Sequence, residues 1–467
     1  MQMIKRVTAF LISVILTAIA ASPVFAAQPD LNLAAETAVL IEQSTGKMLY
    51  GKDENKRMYP ASMTKIITAL VAMDYLKPDE LITLGDELHE TPAGSSIAYL
   101  VPGETVTAQN LLRGLLIMSG NDAGCAIAYY VAKKAKGVSD MSYNDAEAFF
   151  ADLMNKKAAS LGATGSHFVN PHGFQDPQHY STAHDIALFS RALMQVPLLK
   201  DIVDEVSFDG NSAGDPPPSG VISQEHQWQS HNNLIIKGDE GYYTYANGIK
   251  TGFTDEAGNC VAASAEKNGV ALISVVFNSP EPGVWNDSKT LLDYGFNNFT
   301  FVDVQKSGDL LEQAVIGRPQ LGGPGVLNVL SGGSFTDFFS KQDAANIKRS
   351  IIYDTAFLDK SAGAPSQSGA PVLQAPIAKG ETLGKVTYSL DGQVLYTGEA
   401  VAAANVDKRT FTSDFYYYWN LVKSRLFITS AVPYWAGGAI ILAALIMILI
   451  VRHRRKKRNQ SFSLYRW

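Results

Sequence analysis

Apolar and polar positions along this chain change their period several times, and each change predicts an element. Over residues 38–50 two short apolar runs flank Gln43-Ser44-Thr45-Gly46, the pattern of a hairpin whose turn residues separate two strands. Pro60 then introduces a long, mostly apolar run over 62–73. Proline near a first turn followed by such a run predicts a largely buried helix, with Ser62 and Lys65 in its opening turn. Helical periods return over 109–118, from 121 through 131, over 144–160 and over 184–194. After a polar stretch at 210–220 with three consecutive prolines, strand patterns resume at 261–266 and 270–277. Between them, Lys267-Asn268-Gly269 carries the Asn-Gly step of a tight hairpin. A last helix over 288–294 closes a first domain near Thr300. Strands, then helices, then antiparallel strands predict an α/β (α+β) domain of two or three layers. No glycine-rich fingerprint follows the first strand, which excludes a doubly wound nucleotide-binding fold.

Beyond residue 301 helical periodicity is confined to the neighbourhood of 343–351. The region up to 410 is punctuated by Gly322-Gly323-Pro324, Gly332-Gly333 and a glycine-, serine- and proline-rich run at 361–371. Apolar runs at 385–390 and 393–396 flank Asp391-Gly392, a second hairpin signal. This predicts a smaller β-rich domain with a long exposed loop at 361–369. The aromatic run Phe415-Tyr416-Tyr417-Tyr418-Trp419 that follows suits packing on that domain and lying on a membrane surface equally well.

The two ends change the picture. Two basic residues within 1–6, an apolar stretch over 7–21 and the small residues of Ser22-Pro23-Val24-Phe25-Ala26-Ala27 predict a signal peptide, cleaved after Ala26 or alternatively after Ala27. Residues 432–451 carry no charge and as a helix would be about 30 Å long, matching a bilayer core. Tyr434 and Trp435 stand at its start and Arg452-His453-Arg454-Arg455-Lys456-Lys457-Arg458 follows it, an interfacial belt and a cytoplasmic cluster in the usual sense. The expected organisation is a leader over 1–26, a main domain over 27–300, a β-rich domain over 301–410, a juxtamembrane segment over 411–431, a transmembrane helix over 432–451 and a basic tail over 452–467. The expected location is the cell membrane, single-pass, with the main domain extracytoplasmic and the tail cytoplasmic.

The formal net charge is −6, but nine of the 39 Lys and Arg residues lie in the two ends; the remaining 30 face 45 acids, so residues 27–431 carry −15. A surface this acidic argues against nucleic acid as a partner. The two cysteines, Cys125 and Cys260, leave a disulfide and two free thiols both open. They form no metal-ligand cluster.

Three short motifs occur in order: Ser62-Met63-Thr64-Lys65, Ser119-Gly120-Asn121 and Lys250-Thr251-Gly252. Each alone is near chance, and Ser62 alone reads as a first-turn hydroxyl. Together they have a common chemistry. Ser62 and Lys65, three apart on a helix, share a face. A lysine takes a serine proton only when its amine is partly neutral, and burial together with a second cation, Lys250, lowers its pKa. A helix N-terminus beneath Ser62 favours the developing oxyanion. Ser119 would relay a proton to the leaving amine, and Asn121 would orient Lys65 and a substrate amide. Gly252 lets a strand edge approach a ligand closely, while Lys250 and Thr251 suit a terminal carboxylate.

The stretches Tyr59-Pro60-Ala61-Ser62-Met63-Thr64-Lys65, Ser119-Gly120-Asn121-Asp122-Ala123 and Asn247-Gly248-Ile249-Lys250-Thr251-Gly252-Phe253-Thr254 resemble the D-alanyl-D-alanine carboxypeptidase branch of the low-molecular-mass penicillin-binding proteins. Phe168-Val169-Asn170-Pro171-His172-Gly173 and Tyr180-Ser181-Thr182-Ala183-His184-Asp185 resemble its intervening loop and following helix, and Pro376-Ile377-Ala378-Lys379-Gly380-Glu381 its C-terminal β domain. The likeness covers roughly 31–410. It implies a serine β-lactamase/penicillin-binding-protein-like catalytic domain and an acyl-enzyme on Ser62, with Lys65 as base and backbone N–H groups of Ser62 and Phe253 as oxyanion hole. Peptidoglycan stems ending in D-Ala-D-Ala are the implied substrate, β-lactams the implied covalent inhibitors, and no cofactor or metal is implied. Asn247 departs from the family, standing where many relatives carry an acid. The same machinery is compatible with a D,D-endopeptidase. A noncatalytic penicillin-binding receptor or wall-binding scaffold is the alternative from another class, and the intact Ser62, Lys65 and Lys250 argue against it.

Overall fold

The computed structural model describes residues 29–359, 371–427 and 432–461. The leader expected over 1–26 and the loop expected at 361–369 therefore lie outside the described residues. The chain divides into two units, Met1–Phe301 and Val302–Trp467.

The first unit opens on β1 (Thr37–Glu42) and β2 (Met48–Lys52), an antiparallel pair. Every residue of β1 is buried, which is why its sequence is nearly continuously apolar and does not alternate: both of its faces are covered. A 3-10 turn, Ala61–Thr64, leads into α1 (Lys65–Tyr75). The ribbon of β3 (Leu81–Thr83) and β4 (Thr105–Thr107) precedes a helical layer of α2 (Ala108–Leu116), α3 (Asn121–Lys136), α4 (Tyr143–Ser160), α5 (Ala183–Met194) and α6 (Pro197–Asp204). Thr107, Ser142 and Thr182 cap α2, α4 and α5, their hydroxyls accepting from Asn110, Asp145 and Asp185 N–H. A second ribbon, β5 (Ser207–Asn211) with β6 (Glu225–Gln229), falls in a stretch where the proline-rich loop hid the alternation. Then come β7 (Ala246–Thr254), β8 (Gly258–Lys267), β9 (Val270–Ser279) and α7 (Gly283–Asn298).

The main sheet has the order β2-β1-β9-β8-β7, and all its neighbours are antiparallel. Side chains alternate across it. Val39, Ile41, Ile273, Val275 and Phe277 join the core shared with α1 and α5. Leu40 and Leu272 point the other way, where Gly295 of α7 comes so close that a Cβ would collide with both. The result is three layers, helix–sheet–helix. The β8–β9 hairpin turns through Asn268 (φ 52°) and Gly269 (φ 77°), the two left-handed residues that its twist requires.

The second unit begins within β10 (Phe299–Gln305) and contains β11 (Leu310–Gly317), β12 (Val326–Ser331), β13 (Phe335–Ser340), α8 (Lys341–Asn346), β14 (Lys348–Tyr353), β15 (Val372–Gln374), β16 (Thr382–Leu390) and β17 (Gln393–Ala402). Six of these form one sheet, β14-β16-β17-β12-β11-β15, over a core that includes Leu311, Leu327, Val329, Phe339, Leu383 and Val386. The helical pattern expected over 343–351 ends at Asn346. Residues 348–353 pair instead with β16, from Lys348↔Ser389 to Tyr353↔Gly384, because a sheet edge supplies backbone partners that a lone helical turn does not.

Two helices end the described chain, α9 (Phe411–Phe427) and α10 (Val432–Ser461). Phe415 stacks on Trp419, and both rings are exposed. The expected transmembrane helix at 432–451 is overturned: among the described residues no helix is long and apolar enough to cross a membrane. The single-pass location and the partnership with a membrane through a C-terminal span fall with it.

Candidate active site

The site is built where the 3-10 turn meets the edge of the main sheet. Ala61, just before Ser62, has φ 45°, a left-handed conformation unusual for alanine that turns the following hydroxyl out of the chain. Two glycines permit the approach of neighbouring segments. Gly252 on β7 lies where a Cβ would stand 3.0 Å from the Pro60 carbonyl oxygen and 3.2 Å from Met63 N. Gly173, at φ 82°, faces Ala61 so closely that a Cβ would overlap its carbonyl oxygen.

Lys65 is fully buried, and its Nζ lies 2.8 Å from Ser62 Oγ, 2.7 Å from Asn121 Oδ1 and 2.8 Å from the His172 carbonyl oxygen. Burial holds the amine well below the usual lysine range. The Lys250 charge pushes the same way, and Asp122 opposes it. Lys250 is itself 2% exposed, and burial brings it down to about 7. Burial thus disfavours the charge on both amines, and the Lys250 charge adds to the effect on Lys65.

Asn121 opens α3, with Gly120 as N-cap and Ser119 before it, buried and left-handed at φ 58°. A Cβ at Gly120 would come within 2.8 Å of Ala98 Cβ and 2.9 Å of Ala98 N, so only glycine fits beside the passing chain. Thr251 is half-buried, and Phe253 presents a ring that is 60% exposed. The structure therefore brings Ser62, Lys65 and Asn121 into hydrogen-bonding distance and sets Gly252 against the Ser62 turn. Asn247, within the same strand β7, accepts from Ser264 Oγ at 2.6 Å. No group of His, Cys, Asp and Glu among the described residues is arranged to hold a metal ion.

Residues 23–281 match the D-alanyl-D-alanine carboxypeptidase family and residues 335–408 the C-terminal domain of penicillin-binding protein 5. The chain belongs to the D-alanyl-D-alanine carboxypeptidase family. It is 30% identical over 383 residues to the D-alanyl-D-alanine carboxypeptidase DacF of Bacillus subtilis, covering 81% of this chain and 87% of that one. To DacC of Escherichia coli it is 29% identical, covering 80% and 84%. Among solved structures, penicillin binding protein 5 from Haemophilus influenzae superimposes with a TM-score of 0.56 at 26% identity, covering 82% of this chain and all of that one. The Streptomyces K15 DD-transpeptidase does so with 0.51 at 26%, covering 58% and 100%.

Several residues that shape this carboxypeptidase site were not picked out as site residues from sequence. Asp122 is buried and accepts from the backbone N–H groups of Ala98 (2.8 and 3.0 Å), Leu100 (3.2 Å) and Ala123 (2.9 Å). It fastens the 98–100 segment over the start of α3. Asn170 Oδ1 accepts from His172 and Gly173 N–H, shaping the loop whose His172 carbonyl meets Lys65. Thr68 Oγ1 donates to the Pro171 carbonyl at 2.6 Å. His179 Nδ1 accepts from Val169 N–H, which leaves Nε2–H to donate to Thr64 Oγ1 at 2.8 Å; burial depresses this ring to about 3, so it is held neutral. The sequence signal for Asp122 and for Asn170-Pro171-His172-Gly173 was that they fall in stretches resembling the family, without a role assigned to them.

Proposed function

We propose that Ser62 is the nucleophile and Lys65 the base of this carboxypeptidase. The protein is a serine-type D-Ala-D-Ala carboxypeptidase that acts on peptidoglycan pentapeptide stems through an acyl-serine intermediate. The observation that carries the residue assignment is the fully buried Lys65 Nζ at 2.8 Å from the half-buried Ser62 Oγ, where a neutral amine can take the hydroxyl proton.

Ser62 attacks the carbonyl of the penultimate D-alanine, and its proton passes to Lys65. The backbone N–H groups of Ser62 and Phe253 receive the oxyanion. This is supported by β7 being an edge strand of the sheet, which leaves backbone groups for an extended peptide to pair with. Ser119 passes the proton to the leaving amine, and Asn121 holds Lys65 and a substrate amide. Lys250 and Thr251 receive the terminal carboxylate, a charge-assisted contact in a low-dielectric site. Water then hydrolyses the ester and returns Ser62. In this reading residues 27–300 carry the chemistry and 301–410 form a separate β-rich domain.

The test is incubation of the purified protein with pentapeptide muropeptides followed by mass analysis. Loss of one terminal alanine by the wild type, with none by Ser62→Ala, supports the reading. Turnover by Ser62→Ala would remove Ser62 from its role, and crosslink cleavage without alanine release would favour endopeptidase action.

A further inference from the structure

Beside Lys250 lies a small cavity of about 10 Å³ whose wall includes Glu205, Ser230, His231, Asn232, Lys250 and Thr251. That is room for about one water molecule and too little for a carboxylate. Asn232 is 4% exposed. Its Oδ1 accepts from Leu234 N–H at 3.2 Å, which fixes the orientation of the amide. Its Nδ2 is buried with no partner, so this is the polar atom Asn232 has left for the cavity it lines. Lys250 is short of partners too: among the described residues its ammonium finds the Thr251 carbonyl, at 3.1 Å. Two buried donors on one cavity of this size call for a shared acceptor with two lone pairs.

We propose that a single water occupies this cavity, accepting from Asn232 Nδ2 and Lys250 Nζ, and that Asn232 is thereby a positioning residue that keeps Lys250 charged and oriented for the substrate carboxylate. Ser230 and Glu205 in the wall carry oxygens for the water's own protons. Other charges bear on the pair. After burial, the Lys250 charge holds down both Lys65 and the His231 ring, and Lys65 adds to the effect on His231. Glu205 is committed to Arg113 at 2.8 Å, and Asp122 acts on Lys65. The bridging water therefore adds a second neutral acceptor to the Thr251 carbonyl and favours the ammonium form of Lys250 without quenching it. The proposal rests on the reading of Lys250 as the carboxylate-binding cation.

The experiment measures the second-order rate of acylation of the full-length protein by a fluorescent penicillin as a function of pH, for wild type, Asn232→Leu, Asn232→Asp and Lys250→Ala. Leucine fills the cavity without a polar atom, so the alkaline limb should move down by about one pH unit; aspartate places an anion there, so the limb should move up by about one unit. A general packing defect lowers the rate and leaves the limb where it was. Limbs unmoved, or moved in the same direction, overturn the proposal while an impaired Lys250→Ala leaves the reading of Lys250 intact. Undiminished acylation of Lys250→Ala overturns both. If either Asn232 variant fails to fold, a crystal structure of the wild type decides: density for a water between the two nitrogens supports the proposal, and a dry cavity overturns it.

Discussion

Gly173 and Ala61 meet face to face, with no room for a side chain on the glycine: a Cβ there would overlap the Ala61 carbonyl oxygen. The contact joins the loop that supplies the His172 carbonyl to the turn that supplies Ser62, and both accept from Lys65 Nζ. Gly173→Ala should therefore combine a left-handed alanine with a backbone clash, costing about 2–4 kcal/mol of stability. Penicillin labelling should fall at least tenfold. Thermal unfolding and labelling rate check it, and a variant with wild-type values for both would show that the loop yields freely.

Lys65→Ala removes the proton acceptor of Ser62 while leaving the hydroxyl in place. Acylation by a β-lactam should slow by about 10²–10⁴-fold, and stopped-flow labelling measures it. Ser62→Ala should abolish the label altogether with little change in melting temperature, since Ser62 is half-buried and Lys65 keeps its Asn121 and His172 acceptors. Unchanged kinetics in Lys65→Ala would assign the base elsewhere.

Lys250 links the site to stability. Its folded-state value of about 7 lies below the roughly 10.4 of a free lysine. Between these values the unfolded chain binds more protons, so this group makes stability rise with pH. Below pH 7 its contribution is at its least favourable and constant. Lys250→Met should accordingly be more stable than wild type by a few kcal/mol near pH 7, with the advantage shrinking as pH approaches 10. Urea titrations of the two proteins across that range check the slope, and parallel stability curves would refute the assignment.

Asp122 is a hub of backbone hydrogen bonds, and Asp122→Ala would leave buried N–H groups of Ala98 and Leu100 without an acceptor. A loss of about 3 kcal/mol is expected. Protection of the Ala98 and Leu100 amides from hydrogen exchange should fall with it. Asp122 also opposes the depression of Lys65, so the acid limb of the acylation profile should shift to lower pH.

Cys125 and Cys260 are both buried and free, and burial pushes each thiol up to about 12. Reductant should leave the melting temperature unchanged, and alkylating reagents should modify neither thiol in the folded protein. Mass analysis after alkylation, with and without denaturant, distinguishes this from a disulfide.

The regular elements of the first unit were legible because their signals are local. The Asn268-Gly269 turn, the apolar runs of α1 to α5 and the hairpin of β1 and β2 each follow from residues within a few positions of one another. The ribbon of β5 and β6 was not legible, because each strand is only five residues long and a proline-containing loop separates them. The strand at 348–353 was read as part of a helical neighbourhood, since its pairing partner β16 lies more than 30 residues away along the chain. A membrane span was read from 20 uncharged residues, and the described part of α10 did not supply one.

For the site, the sequence alone named the candidates: a hydroxyl and an amine three apart, an Asn after Ser-Gly, and Lys-Thr-Gly on a strand. It also marked Gly252 as the glycine that lets a strand come close. Only tertiary structure decided that Lys65 is enclosed with Asn121 and the His172 carbonyl from segments 56 and 107 residues distant. The same holds for the burial of Lys250 that lowers its charge and for the hub at Asp122. Hydrogen-bonding capacity is written in residue type, whereas desolvation and the field of a second cation arise only when distant segments exclude water together.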